Sequence, residues 1–368
     1  MSGPDSYSRA ERLLHRLAFA SVPAQIALAD IEEGLFGSSA GIAIERPLFV
    51  AGLPRAGTTL LLQILAELPD FTSHTYRHMP FLLCPFTWRR LSGAFRKESA
   101  LAERAHGDGV AVGFDSPEAF EEVIWKAYWP EKYGKTSIGL WGREDRNGEF
   151  EAFYFQHIRK VLALAAKEEG GAHRYLCKNN ANIARLSLLP ALFPDCRIIV
   201  PVRSPLDHAR SLRRQHVQFS ALHAEDAFAR RYMEWLGHYE FGAALKPIDF
   251  GGWMAREGEG LDPPALDPLG LDFWLAYWAA AHDALLSTPS AHVLFVDYDG
   301  LCREPSPGLA RLARVCGLEE TRLDAAASRF RAPTPYEAAE DYDPARLDRA
   351  EEIYRSFGPL FTASPSIP

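Results

Sequence analysis

The segment FVAGLPRAGTTLL has the residue types and the spacing of a phosphate-binding loop. In the pattern Gly-x-x-x-x-Gly-Lys-Ser/Thr, backbone amides surround phosphate oxygens, the lysine neutralises the outermost phosphate, and the next hydroxyl binds magnesium. Gly52 and Gly57 keep this spacing, but Thr58 stands in the place of the lysine. Thr58 and Thr59 bring hydroxyls to a predicted helix N-terminus, which attracts anions, and Arg55 can bind two oxygens at once. The segment predicts an anion site, with a plain strand-to-helix turn as the alternative.

A second candidate anion site lies at the end of the apolar run RIIVPVR. A phosphotransferase of this architecture usually carries a magnesium-binding aspartate there, but this chain carries Arg203, which can bind a phosphate. Ser211 follows eight residues later, about two helical turns, and therefore lies on roughly the same helix face. The pair predicts a second phosphate site. The alternative is an ion pair between Arg203 and Asp207 with Ser211 in solvent.

The elements that would position these residues alternate between apolar strands and helical patterns, which predicts an α/β fold. Strand-like runs occur at residues 46–53, 173–180, 196–203 and 291–301. Both candidate anion sites follow such a run and precede a helical pattern, at residue 59 and at Ser204. We therefore expect a central parallel sheet between helices, in a three-layer α/β/α arrangement.

Three parts of the chain can be distinguished by their patterns. Residues 1–45 form an N-terminal helical segment, in which Pro23 interrupts the apolar spacing. Residues 46–330 form the main domain, with an insertion or lid at about 213–272 that is rich in aromatics and loops and is expected to face a ligand. Residues 331–368 form a C-terminal helical tail packed on that domain.

The composition excludes several functional classes. The 368 residues carry 40 basic and 48 acidic side chains, a net charge of -8, so there is no basic field to bind a nucleic acid. Five scattered cysteines without a C-x-x-C pair predict reduced thiols rather than zinc or disulfide chemistry. No apolar run reaches about 18 residues and no signal peptide is evident, which predicts a cytoplasmic protein without a transmembrane segment. Oligomeric state is left open, including a homo-oligomer.

Together, the stretches PRAGTTL and RSPLDHARS resemble the sulfotransferases that use 3'-phosphoadenosine 5'-phosphosulfate (PAPS). The resemblance implies the P-loop nucleotide-hydrolase-like sulfotransferase fold, with a donor that has no γ-phosphate and needs no metal. It places the 5'-phosphosulfate on the loop and the 3'-phosphate on Arg203 and Ser211. The donor-binding residues it implies are Arg55, Ala56, Gly57, Thr58, Thr59, Arg203, Ser211 and Tyr298.

The resemblance also implies catalytic residues. Arg55 looks like the loop cation that stabilises charge on the bridging oxygen, and Lys178 in CKNNANI resembles the lysine of the family's Lys-x-His turn. Asn180 replaces the histidine that serves as base in the cytosolic branch, so the pattern is closer to the carbohydrate and bacterial branches. The C-terminal Arg-Lys-Gly element has no counterpart, and Arg331 is the candidate substitute. The alternatives are a solvated Lys178 and a core position for Tyr298.

Without that histidine, the proton acceptor is predicted to be a carboxylate in GFDSPEAFEEVIW. A helix that begins near residue 116 would put Glu121 at the edge of an apolar face, where partial burial raises the pKa of a carboxyl group. Glu122 would then lie on the solvent side, and a surface position for Glu121 is the alternative. His106 and Asp108 compete for the same role.

The predicted function is transfer of a sulfuryl group to a hydroxyl of a carbohydrate or another small metabolite. Candidates to line the acceptor site are His74, His78, Tyr76, Trp88, Trp125 and Trp129, with ordinary loop or core positions as the alternative. One rival function is a magnesium-dependent kinase or nucleotidase that uses Asp297 as metal ligand. The other is a non-catalytic nucleotide or glycan binder, which the absence of the histidine base would suit.

Overall fold

A parallel sheet lies at the centre of the fold, and irregular segments follow the carboxyl ends of its strands. A computed structural model describes residues 8–36, 39, 41–92, 102–103, 111–112, 119–169, 173–258, 266–288, 291–331 and 341–363. Its strands are β1 (Leu48–Val50), β2 (Phe71–Thr72), β3 (Ala102–Glu103), β4 (Ala111–Val112), β5 (Arg174–Lys178), β6 (Arg197–Val202) and β7 (Val293–Asp297). Five of them form the parallel sheet, in the order β2-β5-β1-β6-β7. β3 and β4 pair separately as an antiparallel ladder.

Helices connect the strands and cover the sheet. They are α1 (Arg9–Phe19), α2 (Val22–Phe36), α3 (Thr58–Ala66), α4 (Pro85–Ser92), α5 (Glu122–Tyr128), α6 (Gly148–Glu169), α7 (Leu188–Leu192), α8 (Pro205–Glu225), α9 (Ala227–Leu236), α10 (Trp253–Gly258), α11 (Leu271–Leu286), α12 (Tyr298–Arg303), α13 (Pro305–Val315), α14 (Pro344–Ser356) and α15 (Gly358–Thr362). Short 3₁₀ turns include Asn180–Arg185 and Gly242–Ala244.

The hydrophobic core is divided by the sheet into two layers. Side chains alternate along a strand, so Phe49 of β1 packs in one cluster, while Leu48 and Val50 pack in the other. The first cluster takes in α6 and α11, and the second takes in α3 and α13. Strands that are buried on both faces read as continuous apolar runs, as β6 does. The predicted α/β fold with a central parallel sheet in three layers is confirmed.

The order of the strands determines where a ligand can bind. β1 pairs with β5 on one side and with β6 on the other, so the connections that leave β1 and β6 diverge at this point. In parallel sheets such a divergence opens a crevice at the carboxyl ends of the strands. The loop after β1, the turn after β5 and the start of α8 all lie at that edge.

Some elements differ from the sequence predictions. The described part of α5 begins at Glu122, with Glu121 as its N-cap residue, whereas the predicted start at residues 116 and 117 lies outside the described residues. The segment 213–272 is more helical than predicted, since it contains the end of α8 and all of α9 and α10. At the N-terminus lie α1 and α2, and Pro23 is in the first turn of α2.

Candidate active site

The loop after β1 takes a conformation that its glycine makes possible. Gly57 has φ 92° and caps α3, and Arg55 has φ 69°, so the backbone turns twice through the left-handed region before the helix begins. A Cβ atom added to Gly57 would lie 2.0 Å from Cε2 of Tyr298, so the ring packs directly against the loop. The turn leaves the first amides of α3 at the carboxyl edge of the sheet, where an anion would be favoured.

The two motifs found in the sequence meet in space. Arg55 Nε donates to Ser211 Oγ at 3.3 Å, and an Nη atom of Arg203 donates to the carbonyl oxygen of Arg55 at 3.4 Å. Arg203 Nε also lies 3.6 Å from a carboxylate oxygen of Asp299, whose other oxygen accepts from the amide of Ser204 at 2.7 Å. The alternative pairing of Arg203 with Asp207 is not observed: Asp207 lies 4.0 Å from Arg210.

A buried histidine supports the loop from below. His208, on α8, donates from Nε2 to the carbonyl oxygen of Pro54 at 2.8 Å, and its Nδ1 accepts from the indole of Trp278 at 3.2 Å. Burial holds the pKa of His208 well below its ordinary value, so the ring is neutral and this tautomer is fixed. His208 precedes Ser211 by three residues and therefore shares its helix face. One helix thus binds the loop backbone and an arginine of the loop.

The turn after β5 connects the loop to the opposite side of the crevice. Lys178 pairs with Val50 in the sheet and is 7% exposed. Two residues later, Asn180 accepts from Thr58 Oγ1 at 3.2 Å and donates from Nδ2 to Glu240 Oε1 at 2.9 Å. A chain of hydrogen bonds therefore runs from the first residue of α3 to a carboxylate in the segment after α9.

A pocket opens beside this chain of hydrogen bonds. We call it the acceptor pocket, after the acceptor site that the sequence predicts; its lining includes Leu53, Pro54, Asn180, Glu240, Ile248 and Tyr277. Its enclosed volume is about 30 Å³, and it opens into a wider region of about 530 Å³ that includes solvent at its mouth. Because Leu53 and Pro54 belong to the loop that carries Arg55, the pocket adjoins the anion site directly.

Glu121 lies in the core and not at this pocket. It is 1% exposed, so the predicted partial burial is wrong. Its carboxylate accepts from the hydroxyls of Tyr154 (2.5 Å) and Tyr175 (2.9 Å) and from the thiol of Cys177 (3.0 Å). The indole of Trp125 adds a fourth contact at 3.5 Å. Both oxygens are therefore occupied by buried donors.

Glu122 is also buried, in contrast to the predicted solvent position. It forms two hydrogen bonds with Arg185, at 2.7 and 2.8 Å, and accepts from Asn179 Nδ2 at 2.7 Å. The guanidinium of Arg185 contacts the rings of both Trp125 and Trp141, at 4.1 and 4.2 Å from their centroids. Burial opposes the charge of Glu122, but Arg185 outweighs it and holds the pKa of Glu122 below its ordinary value. This ion pair anchors the turn that carries Asn179 and Asn180.

The remaining sequence candidates are scattered. His74 is buried and His78 is half-buried near His157, and the Nε2 atoms of His74 and His157 are 3.1 Å apart. Neither histidine lines the acceptor pocket, nor does any of the four aromatic residues predicted to stack on a sugar, of which Trp125 is fully buried.

Arg331 is exposed, next to Phe330, whose ring lies 6.3 Å from that of Tyr298. His106 and Asp108 lie outside the described residues.

Three site residues were missed from the sequence. Asp299 and His208 lie within the recognised stretches VDYDGL and RSPLDHARS, and both are buried. Their positions inside these stretches are the signal that could have found them. Glu240 lies in the segment predicted to face a ligand, but no spacing links it to Asn180, 60 residues earlier.

In the described part of the chain no three His, Cys, Asp or Glu side chains are arranged to hold a metal ion. No described helix has the length and apolar character that crossing a bilayer requires.

Comparison with known proteins identifies a family for this chain. A family model described as "Sulfotransferase family" matches residues 47–246, more than half of the chain. No curated protein matches significantly. Similar solved structures include sulfotransferase STF1 from Mycobacterium tuberculosis H37Rv (15% identity, 90% of this chain and 82% of the other, TM-score 0.46). They also include STF9 from Mycobacterium avium (14%, 91% and 81%, TM-score 0.46) and a sulfotransferase from Alicyclobacillus acidocaldarius (14%, 86% and 93%, TM-score 0.36). The match of the family model over the loop, the Arg203–Ser211 motif and the turn after β5 establishes that this chain belongs to the sulfotransferase family.

Proposed function

We propose that the protein transfers a sulfuryl group from PAPS to the hydroxyl of a small-molecule acceptor. The observation that carries this proposal is the contact of Arg55 with both Ser211 and Arg203. These residues belong to two motifs about 150 positions apart, and their contact brings the two predicted anion sites together. A bisphosphorylated nucleotide presents two anionic groups, which these sites would bind together.

The chemistry expected of the donor residues is mainly electrostatic. Transfer of a group such as sulfuryl or phosphoryl has a loose transition state in which charge moves onto the departing phosphate. Fixed cations and amides that face this charge stabilise it without having to reorganise. Arg55, Lys178 and the first amides of α3 would supply that stabilisation, and Tyr298 would pack beside the loop as part of the adenosine site.

Arg55 lies closer to the proposed 3'-phosphate site than the sequence suggested. Its guanidinium contacts Ser211, whereas the resemblance assigns Arg55 to the sulfuryl end of the donor and Ser211 to the other end. One planar guanidinium can bind oxygens of two neighbouring groups. We therefore propose that Arg55 lies between the two anionic groups of the donor and helps to hold both.

The rival function as a magnesium-dependent kinase has less support. It requires Asp297 as a metal ligand, but Asp297 caps α12, accepting from the amide of Gly300 at 2.8 Å, and lies 3.7 Å from Arg303. An aspartate that serves as an N-cap and pairs with an arginine already has partners for its charge. A non-catalytic binder of the same fold is the remaining alternative.

Thermal-shift measurements separate these functions. We expect 3'-phosphoadenosine 5'-phosphate (PAP) to raise the melting temperature with and without magnesium, because a ligand that binds only the folded state stabilises it. A shift with ATP and magnesium but none with PAP would contradict the proposal and favour the kinase. Binding of PAP without transfer of labelled sulfate from PAPS to any acceptor in a broad hydroxyl panel would favour the non-catalytic binder.

A further inference from the structure

We propose that the acceptor is a neutral, largely apolar alcohol or phenol, and that Glu240 is the catalytic residue that takes its proton. The inference rests on the proposed function and names the acceptor class and the base of the same site. It excludes the carbohydrate that the sequence suggested as one of two acceptor classes.

The walls of the acceptor pocket are mostly apolar. Leu53, Ile138, Leu245, Pro247 and Ile248 contribute to its lining. Such walls gain free energy by removing apolar surface from water, at roughly 25 cal/mol per Å². They offer nothing to a hydroxyl group, which loses its hydrogen bonds to water when it is buried.

Most polar groups of the pocket are already bonded to the protein. His238 Nε2 lies 2.8 Å from the carbonyl oxygen of Ala119, and Lys246 donates to that of Gly134 at 2.8 Å. The hydroxyl of Tyr277 accepts from the amide of Ile248 at 3.2 Å.

Asn179 is occupied in the same way. Its amide group donates to Glu122, and its side-chain oxygen accepts from the amide of Ala181. A sugar has a hydroxyl on most of its carbons, and each would need a partner here. The pocket suits a molecule with one hydroxyl at its reacting end.

Glu240 offers that hydroxyl a carboxylate oxygen that can accept a hydrogen bond. One carboxylate oxygen accepts from Asn180, and the other accepts no hydrogen bond from the residues that the structure describes. Asn180 also accepts from Thr58, the first residue of α3, so the carboxylate is held at a fixed position relative to the anion site. Glu121, by contrast, has both oxygens bonded in the core.

Transfer of the sulfuryl group needs only the acceptor hydroxyl, PAPS and these side chains. The acceptor oxygen forms a bond to the sulfur of PAPS while the bond from sulfur to the bridging 5'-phosphate oxygen breaks. The hydroxyl proton moves to Glu240, and the leaving electrons stay on PAP, next to Arg55 and Lys178. Glu240 then releases the proton to solvent, because it is only partly buried.

The acceptor class is tested by a panel after PAP binding has been established. With labelled PAPS, octan-1-ol and 2-naphthol should be sulfated at least tenfold faster than galactose and glucosamine. Faster sulfation of the sugars, or of neither class, would overturn the inference while PAP binding leaves the proposed donor intact. A protein that does not bind PAP instead contradicts the proposed function, so the two failures are distinguishable.

A wall substitution tests the pocket itself. Leu245→Asn should raise KM for 2-naphthol about tenfold and leave the affinity for PAP unchanged, because it places an amide among apolar groups. Leu269→Asn is the matched control, since Leu269 is 51% exposed and lies outside the pocket lining. An unchanged KM in Leu245→Asn would contradict the assignment of the pocket.

Glu240→Gln tests the base. Glutamine keeps an oxygen for Asn180 but cannot take a proton, so kcat with octan-1-ol should fall on the order of 10²–10⁴-fold. A nitrophenol that is already ionised at neutral pH needs no base, and its kcat should change less than threefold. Equal losses with both acceptors would show that Glu240 only positions Asn180 and would overturn its catalytic role. Glu225→Gln is the control, as Glu225 is exposed at the end of α8.

Discussion

The proposed donor site and the acceptor pocket are built in different ways, although they share the loop after β1. The proposed donor site, formed by Arg55, Gly57, Thr58, Arg203 and Ser211, comes from two short motifs at junctions between strands and helices. The acceptor pocket is lined mostly by residues of irregular segments, such as residues 237–240 after α9 and residues 245–248, together with Tyr277 on α11. The proposed donor site thus depends on regular elements, whereas the pocket depends mainly on irregular segments.

The buried groups that support the proposed donor site and the acceptor pocket also differ. Beneath the proposed donor site lie the neutral His208 ring, which binds the loop backbone, and the less deeply buried pair of Arg203 and Asp299. Beneath the acceptor pocket lies the buried ion pair of Glu122 and Arg185, which holds the turn with Asn179 and Asn180. Removing one partner of the Glu122–Arg185 pair should cost more stability, because a buried charge without its partner is strongly unfavourable.

Glu122→Ala should have the largest effect. It leaves the fully buried Arg185 without its partner and should lower the free energy of unfolding by about 3–5 kcal/mol, measured by urea denaturation. The double variant Glu122→Leu, Arg185→Met should regain most of this loss, because two apolar side chains need no partner. In contrast, Glu320→Ala breaks an exposed pair with Arg314 and should cost less than about 1 kcal/mol. Similar losses in both single variants would contradict the comparison.

Arg55→Ala should affect catalysis more than stability. Turnover should fall on the order of 10²-fold or more, as for loss of another preorganised charge donor, and PAP should bind more weakly. Arg55→Lys should recover part of the turnover because it keeps the charge without the planar fork. Arg231→Ala, which changes an arginine whose side chain is 66% exposed, is the control. Near-normal kcat in folded Arg55→Ala would remove Arg55 from the mechanism.

Gly57→Ala tests how tightly the donor site is packed. A methyl group would overlap the ring of Tyr298, and φ 92° is strained for alanine, so about 1–3 kcal/mol of stability and the binding of PAP should be lost. Adding Tyr298→Ala should relieve the overlap but not the backbone strain. Gly34→Ala, in α2 with open space around it, should be neutral or stabilising. Unchanged PAP affinity in Gly57→Ala would show that the loop can rearrange.

The smallest expected effect is a pH dependence of stability. It comes from the cluster of His74, His78 and His157, which lies outside the proposed donor site and the acceptor pocket. Burial, with nearby positive charges, lowers the pKa of His157 to about 3 and that of His78 to about 4, from an ordinary value of 6.5. Below pH 6.5 the unfolded chain binds protons that the folded protein refuses, so the free energy of unfolding should fall as pH drops from 6.5 toward 4. His157→Asn should flatten this dependence in urea titrations at pH 7 and pH 5. An equally steep dependence in the variant would contradict the burial argument.

The sequence predicted the strands around the proposed donor site well and the surroundings of Glu121 and Glu122 poorly. The strands that end at Val50, Lys178 and Val202 were predicted to within a few residues, because runs buried on both sides are unmistakably apolar. The helix with Glu121 and Glu122 was misjudged, since an amphipathic wheel cannot show that a second layer, from β5 and the Asn180–Arg185 turn, covers the polar side as well. The long helix α6, which provides Tyr154, was not predicted at all.

By itself the sequence predicted the two donor motifs, because the loop and the Arg203–Ser211 motif depend on local spacing along a strand, a turn and a helix. Only the tertiary structure decided which carboxylate lies at the acceptor pocket. Glu121, Glu122 and Glu240 have the same side chain, and they differ only in what surrounds them: buried hydroxyls, a buried guanidinium, or an amide at the mouth of an apolar pocket. Those surroundings come from residues distant in sequence, and no local pattern encodes them.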